Sequence, residues 1–338
     1  MGIAVLVGDS LGTGDVFMLK KAIAVVTSGG DSPGMNAAAR AVVRTAIYEG
    51  VEVYGVHNGY SGMVHDDIEK LTTRSVSDLI QRGGTFLGTA RSKSFMTPEG
   101  RKTAFDNLCK RGIEGLVIIG GDGSLTGGSL LSKETGMPIV GLPGTIDNDV
   151  WGMDYTIGCD TACNTIVDAI NKLRDTASAH RRIILVEVMG RHSGWLAMMS
   201  GIAGGAEYIL VPEVAYDLEE ISCELKEMYE AGKRYSIIVV AEGAGSAVEI
   251  GKIIGEKTEI DTRVSVLGHI QRGGSPTVED RIKASMLGEK AALAIISGIN
   301  DVIFSFNEGQ VVSVNLFEAV NNTKTLDPEL VRLSRVLA

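Results

Sequence analysis

The sequence predicts an α/β protein of two domains, each built on a mostly parallel sheet. Short apolar runs typical of strands buried on both faces alternate with amphipathic stretches of helical length along most of the chain. This alternation indicates right-handed βαβ units around parallel sheets. A chain of 338 residues is long enough for two domains, and it contains no low-complexity linker. We therefore expect the two domains to be joined by more than one crossing of the chain.

The predicted elements follow one another from residue 22 to residue 297. Apolar runs predict strands over residues 22–26, 52–57, 116–119, 138–143, 181–188, 208–211, 236–241 and 262–267. Apolar residues at helical spacing predict helices from residue 33 to Gly50, near 75–81, and over 98–111, 160–174, 195–203, 218–231 and 278–297. Ser32 is the expected N-cap of the first helix, with Pro33 at its first position, and Asp160 is the expected N-cap of the fourth.

The bulk composition narrows the classes of function. A formal net charge of −10 argues against non-specific binding to nucleic acid or to anionic membranes. No apolar run approaches the ~20 residues that span a bilayer. The four cysteines show no metal-finger spacing, so reduced thiols in the cytosol are expected. We therefore expect a cytoplasmic protein, and anionic small molecules remain open as ligands because they respond to local charge.

Residues 1–18 are predicted to be an N-terminal extension, because a regular strand begins only after them. They lack the basic n-region of a signal peptide. The block Gly-Asp-Ser-Leu at 8–11 matches the block that carries the nucleophile in one class of serine esterases. Those enzymes also need an Asp-x-x-His pair, and no aspartate stands three residues before any of the five histidines. The hydrolase interpretation is therefore set aside.

A glycine turn links the first predicted strand to the first helix. A strand end, a glycine turn and a helix N-terminus together present backbone N–H groups to a phosphate. Arg40 and Arg44 lie one turn apart on this helix, and neither has an acidic residue four positions away. Because like charges at that spacing repel, the pair indicates either a solvated face or an anion site.

Two further glycine-rich turns, at 120–124 and 144–149, follow two consecutive apolar runs. The first carries Asp122, and the second carries Asp147 and Asp149. In open parallel sheets, ligands bind outside the carboxyl ends of the strands, so these carboxylates are expected to share one cleft. Such a cleft suits a nucleotide with its Mg²⁺ ion. Simple turn formation remains the alternative interpretation of Asp147 and Asp149.

Basic residues near other predicted strands complete the pattern. They are Arg182, Arg191, Arg263, His269 and Arg272. They suit a second, anionic substrate, and Asp147 is the candidate base. Phosphoryl transfer needs this division, because its catalysis consists mostly of in-line positioning and charge neutralisation. The chain has no Gly-x-x-x-x-Gly-Lys-Ser/Thr loop, so it is not a P-loop enzyme.

Four blocks of this sequence resemble the bacterial ATP-dependent 6-phosphofructokinases. They are Gly-Gly-Asp-Gly-Ser at 120–124, Pro-Gly-Thr-Ile-Asp-Asn-Asp at 143–149, Met-Gly-Arg at 189–191 and Gly-His-Ile-Gln-Arg-Gly-Gly-Ser-Pro at 268–276. They occur in the family's order and approximate spacing, and the resemblance extends from about Lys20 to the C-terminus. It implies two three-layer α/β domains with the active site in the cleft between them. The implied domains are 19–158 with 271–324 for ATP, and 159–270 with 325–338 for the sugar phosphate.

The resemblance also implies a reaction and its catalytic residues. Asp147 would take the proton from the 1-hydroxyl of fructose 6-phosphate, with Thr145 and Asp149 around the γ-phosphate. Arg191 would stabilise charge on the transferred group, and Asp122 would hold Mg²⁺. The products would be fructose 1,6-bisphosphate and ADP, which is the committed step of glycolysis.

The same resemblance implies binding residues for each substrate. ATP would be bound by Gly30, Arg91, Ser92, Phe95, Arg101, Gly121, Asp122, Gly123 and Ser124. Fructose 6-phosphate would be bound by Thr145, Asp147, Arg182, Met189, Gly190, Arg191, Glu242, Arg263, His269 and Arg272. His269 and Arg272 would grip the 6-phosphate. Arg182 and Arg263 match arginines that reach into a neighbouring subunit's site, so a homo-oligomer, usually a tetramer, is implied; surface charge is the alternative interpretation of these two residues.

Two glycines bear on the choice of phosphoryl donor. Family members that use pyrophosphate carry Asp at the position of Gly123 and Lys at the position of Gly144. Bulk and charge at those points would obstruct the α-phosphate of ATP and grip pyrophosphate directly. Both positions are glycine here, so the resemblance implies ATP.

An effector site for ADP or phosphoenolpyruvate is implied as well. Its residues would be Arg40, Arg44, Arg174, Gly205, Glu207 and Lys233. Thr73 and Ala231 stand where the family often has basic residues. Losing one such contact to a phosphate weakens binding by about 1.5–3 kcal/mol. We therefore expect an effector site that is present but weaker or differently tuned.

Two other functions remain open from the sequence. The same fold could phosphorylate another ketose phosphate, such as tagatose or sedoheptulose phosphate, because the residues around the sugar would be nearly identical. A non-catalytic regulatory paralogue is the second alternative. The joint presence of Asp122, Asp147 and Arg191 argues against it, because a binding protein does not need a positioned base.

Overall fold

The structure, a computed structural model, describes residues 22–338. The N-terminal extension predicted over residues 1–18, with its Gly-Asp-Ser-Leu block, lies outside the described residues. None of the helices within residues 22–338 is long and apolar enough to cross a membrane.

The described residues alternate between strands and helices. The strands are β1 (Ala22–Ser28), β2 (Glu52–Val56), β3 (Ile68–Lys70), β4 (Leu116–Gly120), β5 (Ile139–Pro143), β6 (Ile183–Val188), β7 (Tyr208–Leu210), β8 (Ser236–Ala241), β9 (Thr262–Val266), β10 (Val302–Asn307) and β11 (Gln310–Asn315). The helices are α1 (Met35–Tyr48), α2 (Gly59–His65), α3 (Pro98–Cys109), α4 (Asp122–Thr135), α5 (Cys159–His180), α6 (Trp195–Ala203), α7 (Leu218–Glu230), α8 (Ala247–Thr258), α9 (Val278–Ile296), α10 (Leu316–Ala319) and α11 (Pro328–Leu337). Short 3-10 helices cover Ser94–Met96 and Gly268–Arg272.

The chain forms two compact units, and each unit is built from three separate segments of the chain. Unit 1 contains the described residues up to Thr145 together with Val150–Gly158 and Ser275–Thr323, and unit 2 contains Ile146–Asp149, Cys159–Gly274 and Lys324–Ala338. The sequence prediction instead assigns 146–149 to the first domain and starts the return crossing at 271. Residues 146–149 belong to unit 2 because Ile146 packs in the same core as Ile166 and Val186.

Unit 1 is built on a seven-stranded sheet with the order β11-β10-β5-β4-β1-β2-β3. The central strands run parallel, and only the two edge strands, β11 and β3, pair antiparallel. β1, β4 and β5 are buried along their whole length, as parallel strands covered on both faces must be. The predicted α/β class with a mostly parallel sheet is therefore confirmed.

The start of α1 differs from the prediction, because Ser32 is not its N-cap. The N-cap position is Gly34, which has a φ of 105° and makes no side-chain cap. Ser32 Oγ instead donates a hydrogen bond to the carbonyl oxygen of Ile157, 2.7 Å away. A Cβ at position 34 would lie 2.8 Å from the side chain of Ile157. A contact between distant segments thus overrides the local capping signal.

Unit 2 is built on a parallel four-stranded sheet with the order β7-β8-β6-β9. Alternate residues of β6 point into two separate cores: Ile184 and Val186 belong to one, Ile183 and Leu185 to the other. Because side chains alternate across a strand, both faces of the sheet are covered. This is the predicted three-layer arrangement.

Two helix predictions in the sequence are wrong. Residues 75–81 form turns rather than a short helix. α5 begins at Cys159 and continues to His180, so Asp160 lies in its first turn and Arg174 is an interior residue. α8 is not predicted at all, although Ser246 caps it by accepting a hydrogen bond from the N–H of Glu249.

Candidate active site

The candidate nucleotide residues of unit 1 gather at the carboxyl ends of three neighbouring strands. The last residues of β1, β4 and β5 are paired in register, Ser28 with Gly120 and Gly120 with Pro143. The turns that follow are tightly packed backbone: a Cβ at Gly29 would lie 2.8 Å from Ser124 Oγ, and one at Gly120 would lie 2.5 Å from the carbonyl oxygen of Ser28. Glycine is therefore required for the close approach of these strand ends.

The first turn of α4 lies at this edge. Asp122 is its first residue, Asp122 and Gly123 are exposed, and a Cβ at Gly123 would meet no other atom within 4 Å. The positive end of the helix dipole and the N–H groups of the first turn favour an anion at such a position. The structure thus brings Gly121–Ser124 together as an open, anion-favouring helix start.

The loop that carries Arg91 and Ser92 is tied to the end of β1. Thr89 Oγ1 donates to the carbonyl oxygen of Gly29 at 2.7 Å, and Thr27 Oγ1 donates to that of Gly88 at 3.0 Å. Arg91 itself is exposed. These bonds connect the predicted ATP residues of two distant segments within unit 1.

Arg101 has a different environment from the other predicted ATP residues. Its guanidinium is only 6% exposed and makes two hydrogen bonds of 2.6 Å to the carboxylate of Glu134. A third nitrogen donates to the carbonyl oxygens of Phe95 and Met96, both at 3.0 Å. The ring of Phe95 stacks on Tyr60, with centroids 3.9 Å apart. Arg101 and Phe95 therefore support the loop from within unit 1 rather than presenting a free surface.

The donor set around Asp122 bears on the predicted Mg²⁺ ion. Within residues 22–338, no group of three or more His, Cys, Asp or Glu side chains is arranged to hold a metal ion. Mg²⁺ that accompanies a nucleotide is commonly bound by one or two carboxylates together with phosphate oxygens and water. A single exposed carboxylate at the start of α4 fits that kind of site and does not fit an all-protein metal cage.

Asp147 is a buried acid of unit 2 with a raised pKa. It is 7% exposed, and its Oδ2 lies 3.9 Å from Nε of Arg191. The pKa of Asp147 rises from 3.8 to about 6, first because burial disfavours the charged carboxylate and then because Asp149 and Glu242 carry the same charge. The positive charges of Arg191 and Arg272 act in the opposite direction. A buried carboxylate poised near neutral pH between two arginines has the character of a general base.

Thr145, the last residue of unit 1 before this acid, is held by the following loop. Its carbonyl oxygen accepts a hydrogen bond of 2.7 Å from Thr156 Oγ1. Its Cβ lies 3.3 Å from the position that a Cβ at Gly121 would take. Thr145 therefore belongs to the same strand-end edge as the first turn of α4.

Arg191 lies in a turn between β6 and α6 with an uncommon backbone. Its φ is 53°, and that of Gly190 is 135°. The N–H of Arg191 donates to Oε1 of Glu242 at 2.8 Å. The N–H of Met189 donates to Oε1 of Gln271 at 3.1 Å. The predicted sugar-phosphate residues Met189, Gly190 and Glu242 are thus brought together with Arg191.

Arg272 and His269 lie on the 3-10 helix that follows β9. Arg272 is close enough to lower the pKa of Asp147, and His269 is exposed. The same segment contributes Gln271, which is fully buried and was not a candidate in the sequence analysis. The one sequence feature that could have indicated a role for Gln271 is its position between His269 and Arg272, two residues predicted to bind the sugar phosphate.

Arg182 and Arg263 are not part of the Asp147 cluster. Both pair with Asp261: Arg182 Nε lies 2.6 Å from its Oδ2, and Arg263 Nη2 lies 2.9 Å from its Oδ1. Arg182 precedes β6 and Arg191 follows it, so the two arginines lie beyond opposite ends of the strand. The structure thus separates these two predicted substrate residues from the others of unit 2.

The predicted effector residues divide between the two units. Within unit 1, the pKa of Arg40 is lowered by burial and by the charge of Arg44. Within unit 2, Arg174 donates to the carbonyl oxygens of Gly204 and Gly205, the latter at 2.7 Å. Glu207 is buried, and its carboxylate lies 3.0 Å from Nζ of Lys233 and accepts from the N–H of Ile237 at 2.6 Å.

Comparison with known proteins adds a family to this geometry. A family model described as phosphofructokinase matches residues 22–295. The chain is 57% identical to the ATP-dependent 6-phosphofructokinase of Bacillus licheniformis and 55% identical to that of Bacillus subtilis, in each case over 94% of this chain and 99% of the relative.

Solved structures show the same fold. The phosphofructokinase of Saccharomyces cerevisiae is 39% identical, with a TM-score of 0.85 over 94% of this chain, which spans about half (48%) of the yeast chain. A pyrophosphate-dependent phosphofructokinase from Marinobacter aquaeolei gives a TM-score of 0.82 at 22% identity over 91% of this chain and 86% of its own. At that identity the likeness concerns the fold alone.

Proposed function

We propose that this chain, which belongs to the phosphofructokinase family, transfers the γ-phosphate of ATP to the 1-hydroxyl of fructose 6-phosphate. The observation that carries the proposal is the buried Asp147 beside Arg191, with a pKa of about 6. The names of the Bacillus relatives, at 55–57% identity over nearly the full chain, support the donor and the acceptor.

Asp147 acts as the base in this proposal. Its pKa near 6 leaves it charged at neutral pH and able to accept the proton of the sugar hydroxyl as the bond to phosphorus forms. The hydroxyl oxygen bonds to the γ-phosphorus while the bond from phosphorus to the leaving oxygen of ADP breaks. Asp147 holds the released proton and passes it to water after the products leave. Burial, and after it the like charge of Asp149, maintains the raised pKa of Asp147.

The arginines of unit 2 bind and neutralise phosphate in the same proposal. Arg191, 64% exposed at its side chain, presents its guanidinium to the transferred group. Arg272 and the exposed His269 hold the 6-phosphate of the sugar. One oxygen of Glu242 accepts from the N–H of Arg191, and the other would accept hydrogen bonds from sugar hydroxyls.

The nucleotide binds to unit 1 through the first turn of α4 and the neighbouring loop. The backbone approaches the nucleotide closely at Gly30, Gly121, Gly123 and Ser124. Arg91 and Ser92 also contact the nucleotide. Asp122 would hold Mg²⁺, and the bound ion would supply charge neutralisation at the phosphates. The space beside Gly123 is open, which supports ATP as the donor. An Asp at this position would fill that space with a negative charge close to the phosphates. At Gly144 a Cβ would lie 2.7 Å from Cε of Met35, so a larger residue requires Met35 to move.

A homo-oligomer, of the tetrameric kind, is part of the proposal. Arg182 and Arg263 both pair with Asp261, away from the Asp147 cluster of their own chain, which supports a role in a neighbouring subunit's site. Sedimentation measures the oligomeric state of the wild type and of Arg263→Ala, and assays of the same two proteins measure activity and ATP affinity. Loss of activity without a change in ATP affinity supports the shared site, and a fully active monomer refutes it.

Regulation by ADP or phosphoenolpyruvate through Arg40, Arg44, Arg174, Gly205, Glu207 and Lys233 is proposed at reduced strength. The test is the pair Arg40→Ala with Arg174→Ala. Smaller responses to both effectors support the site, and unchanged ADP activation and phosphoenolpyruvate inhibition refute it.

The main experiment is a coupled assay with fructose 6-phosphate, Mg²⁺ and either ATP or pyrophosphate. ATP-dependent formation of fructose 1,6-bisphosphate is expected, and Asp147→Ala should lower kcat by about 10²–10⁴-fold. Asp168→Ala is the matched control, because Asp168 is an exposed carboxylate of α5 in the same unit. Activity with pyrophosphate alone would refute the donor, and silence with both donors would refute the acceptor and favour another ketose phosphate or a non-catalytic paralogue.

A further inference from the structure

The turn over residues 189–194 adopts a backbone that its own sequence disfavours. Arg191 has a φ of 53°, in the left-handed region where a side chain with a Cβ is strained. Gly190 has a φ of 135°, which glycine alone adopts readily. A residue in such a conformation persists only when surrounding structure holds it. The neighbours of the turn therefore determine where Arg191 points.

Three side chains hold this turn by accepting hydrogen bonds from its backbone. Gln271 accepts from the N–H of Met189 at 3.1 Å, and Glu242 accepts from that of Arg191 at 2.8 Å. Glu213 accepts from the N–H of Gly194 at 2.8 Å. The acceptors follow three different strands, β9, β8 and β7, so the ends of the sheet enclose the turn from several sides.

Gly243 packs directly against the backbone of this turn, which is possible because glycine has no side chain. A Cβ at this position would overlap the carbonyl oxygen of Arg191 and would lie 3.3 Å from Pro212. The φ of Gly243 is not in the left-handed region, so backbone freedom does not explain the glycine. The space that it leaves is filled by the backbone of Arg191.

We propose that Glu213, Gln271 and Gly243 are positioning residues that hold the backbone of Arg191 so that its guanidinium faces Asp147. This inference rests on the proposed function, in which Arg191 neutralises the transferred phosphoryl group. The three residues act through the turn and touch neither substrate. Their combined effect is to present the charge of an exposed, flexible side chain at a set distance from the base, 3.9 Å from Nε to Oδ2.

The pKa of Asp147 is a measurable quantity that should change if the three residues position Arg191, and should stay constant if they only stabilise the fold. Burial, Asp149 and Glu242 raise the pKa of Asp147, while Arg191 and Arg272 lower it. A turn that moves away withdraws the charge of Arg191 and leaves the raising influences in place. The pKa of Asp147 should then rise further, and the acidic limb of kcat/KM should move to higher pH.

Gly243→Ala is the first test, with Gly255→Ala as its control. The added methyl must displace the carbonyl of Arg191, and a misplacement of about 1 Å lowers kcat about 10²-fold. The KM for ATP should stay unchanged. Gly255 lies within α8 of the same unit, where a Cβ would make only ordinary contact with Thr262 at 3.4 Å, so its variant should keep wild-type kinetics. A folded Gly243→Ala with wild-type kcat and an unmoved acidic limb would overturn the proposal.

A pair of substitutions at Glu213 decides the matter where Gly243→Ala does not fold. Glu213→Gln keeps an acceptor oxygen for the N–H of Gly194, whereas Glu213→Ala removes it. The alanine variant should lose kcat and shift the acidic limb upward, and the glutamine variant should restore both. Equal kinetics in the two variants would overturn the proposal, whether both are active or both impaired.

Carbon-13 NMR titration of the Asp147 carboxyl separates this inference from the proposed function. The signal is assigned by its absence in Asp147→Asn and is recorded without substrates. A wild type without phosphotransferase activity would refute the proposed function, yet an upward pKa shift in Glu213→Ala would still support the positioning role. An unchanged pKa in both Gly243→Ala and Glu213→Ala would overturn the positioning role whatever the activity.

Discussion

Replacing Asp147 by Asn should make the folded protein more stable at neutral pH, although it removes the proposed base. The pKa of Asp147 rises from 3.8 to about 6, mainly through burial and then through the charge of Asp149. A rise of this size corresponds to about 3 kcal/mol by which the folded state disfavours the charged carboxylate. Asn has nearly the same shape and does not ionise, so the variant avoids that free-energy cost.

The size of the effect depends on pH through proton linkage. A carboxyl whose pKa is raised by folding stabilises the folded state below its unfolded pKa, and this stabilisation is lost as pH rises through the folded pKa. For Asp147 the loss occurs between pH 3.8 and about 6. At pH 8 the Asn variant should therefore exceed the wild type by up to about 3 kcal/mol. At pH 5 protonation returns about 1.4 kcal/mol of this to the wild type, so the difference should shrink by that amount.

Urea unfolding at pH 5 and pH 8, followed by circular dichroism, measures both differences. Asp168→Asn is the control because it changes the net charge equally at an exposed position of α5. It loses only an i,i+4 pair with Lys172, worth about 0.3–0.5 kcal/mol at either pH. A variant at Asp147 that is less stable than the wild type at pH 8 would refute the reasoning. A difference that is the same at both pH values would refute it equally, because the carboxyl would then not be the cause.

Two more predictions concern the pH profile and the nucleotide edge. In the proposed reaction, kcat/KM falls about tenfold per pH unit below about pH 6, and Asp149→Asn should move this limb to lower pH by removing the like charge beside Asp147. Initial rates between pH 5 and 8 check this, and an unmoved limb would contradict the assigned base. Gly120→Ala should raise the KM for ATP and destabilise the protein by about 1–3 kcal/mol, because its Cβ would lie 2.5 Å from the carbonyl oxygen of Ser28. Calorimetry and ATP titration check it, and wild-type values of both would show that the strand ends tolerate separation.

The fold class was predictable because its main signal is local and strong. β1, β4 and β5 are buried throughout and mostly apolar, and short apolar runs that end at glycine-rich turns are typical of parallel strands covered on both faces. The exact domain boundaries were harder to predict from the sequence. Residues 146–149 leave unit 1 in the middle of a loop, and only the packing of Ile146 into the core of unit 2 reveals it.

α4 shows how tertiary contacts override local propensity. The segment contains Gly123, Gly127 and Gly128, which disfavour a helix by about 1 kcal/mol each relative to alanine. Two of them are required by packing, since a Cβ at Gly127 would lie 2.8 Å from the ring of Tyr60, and one at Gly128 would overlap Ile118. A sequence pattern records the glycines but not the neighbours that demand them.

The candidate site could be proposed from the sequence where its residues share a motif, but not where residues act through contacts between distant segments. Asp147 and Arg191 belong to separate motifs, and the structure brings them within one cluster of unit 2. Arg101 resembles a nucleotide ligand in its position, but its guanidinium is engaged with Glu134. Glu213 is an exposed glutamate in a loop, and no pattern in the chain distinguishes it from other surface acids.

The environment of Asp147 also bears on the simplest alternative, that the acids at 147 and 149 only form a turn. A turn-forming aspartate is solvated and keeps an ordinary pKa, whereas Asp147 is buried and its pKa is raised to about 6. Arg191 opposite it has a φ of 53°, in the left-handed region where an arginine is strained, whereas the φ of 48° at Asn148 is one that Asn adopts readily in turns. A buried acid and a strained arginine each lower stability, and neither is needed for a reverse turn. Such features gather where a reaction requires charge and geometry that folding alone would not select, and this favours a catalytic role for Asp147 over a structural one.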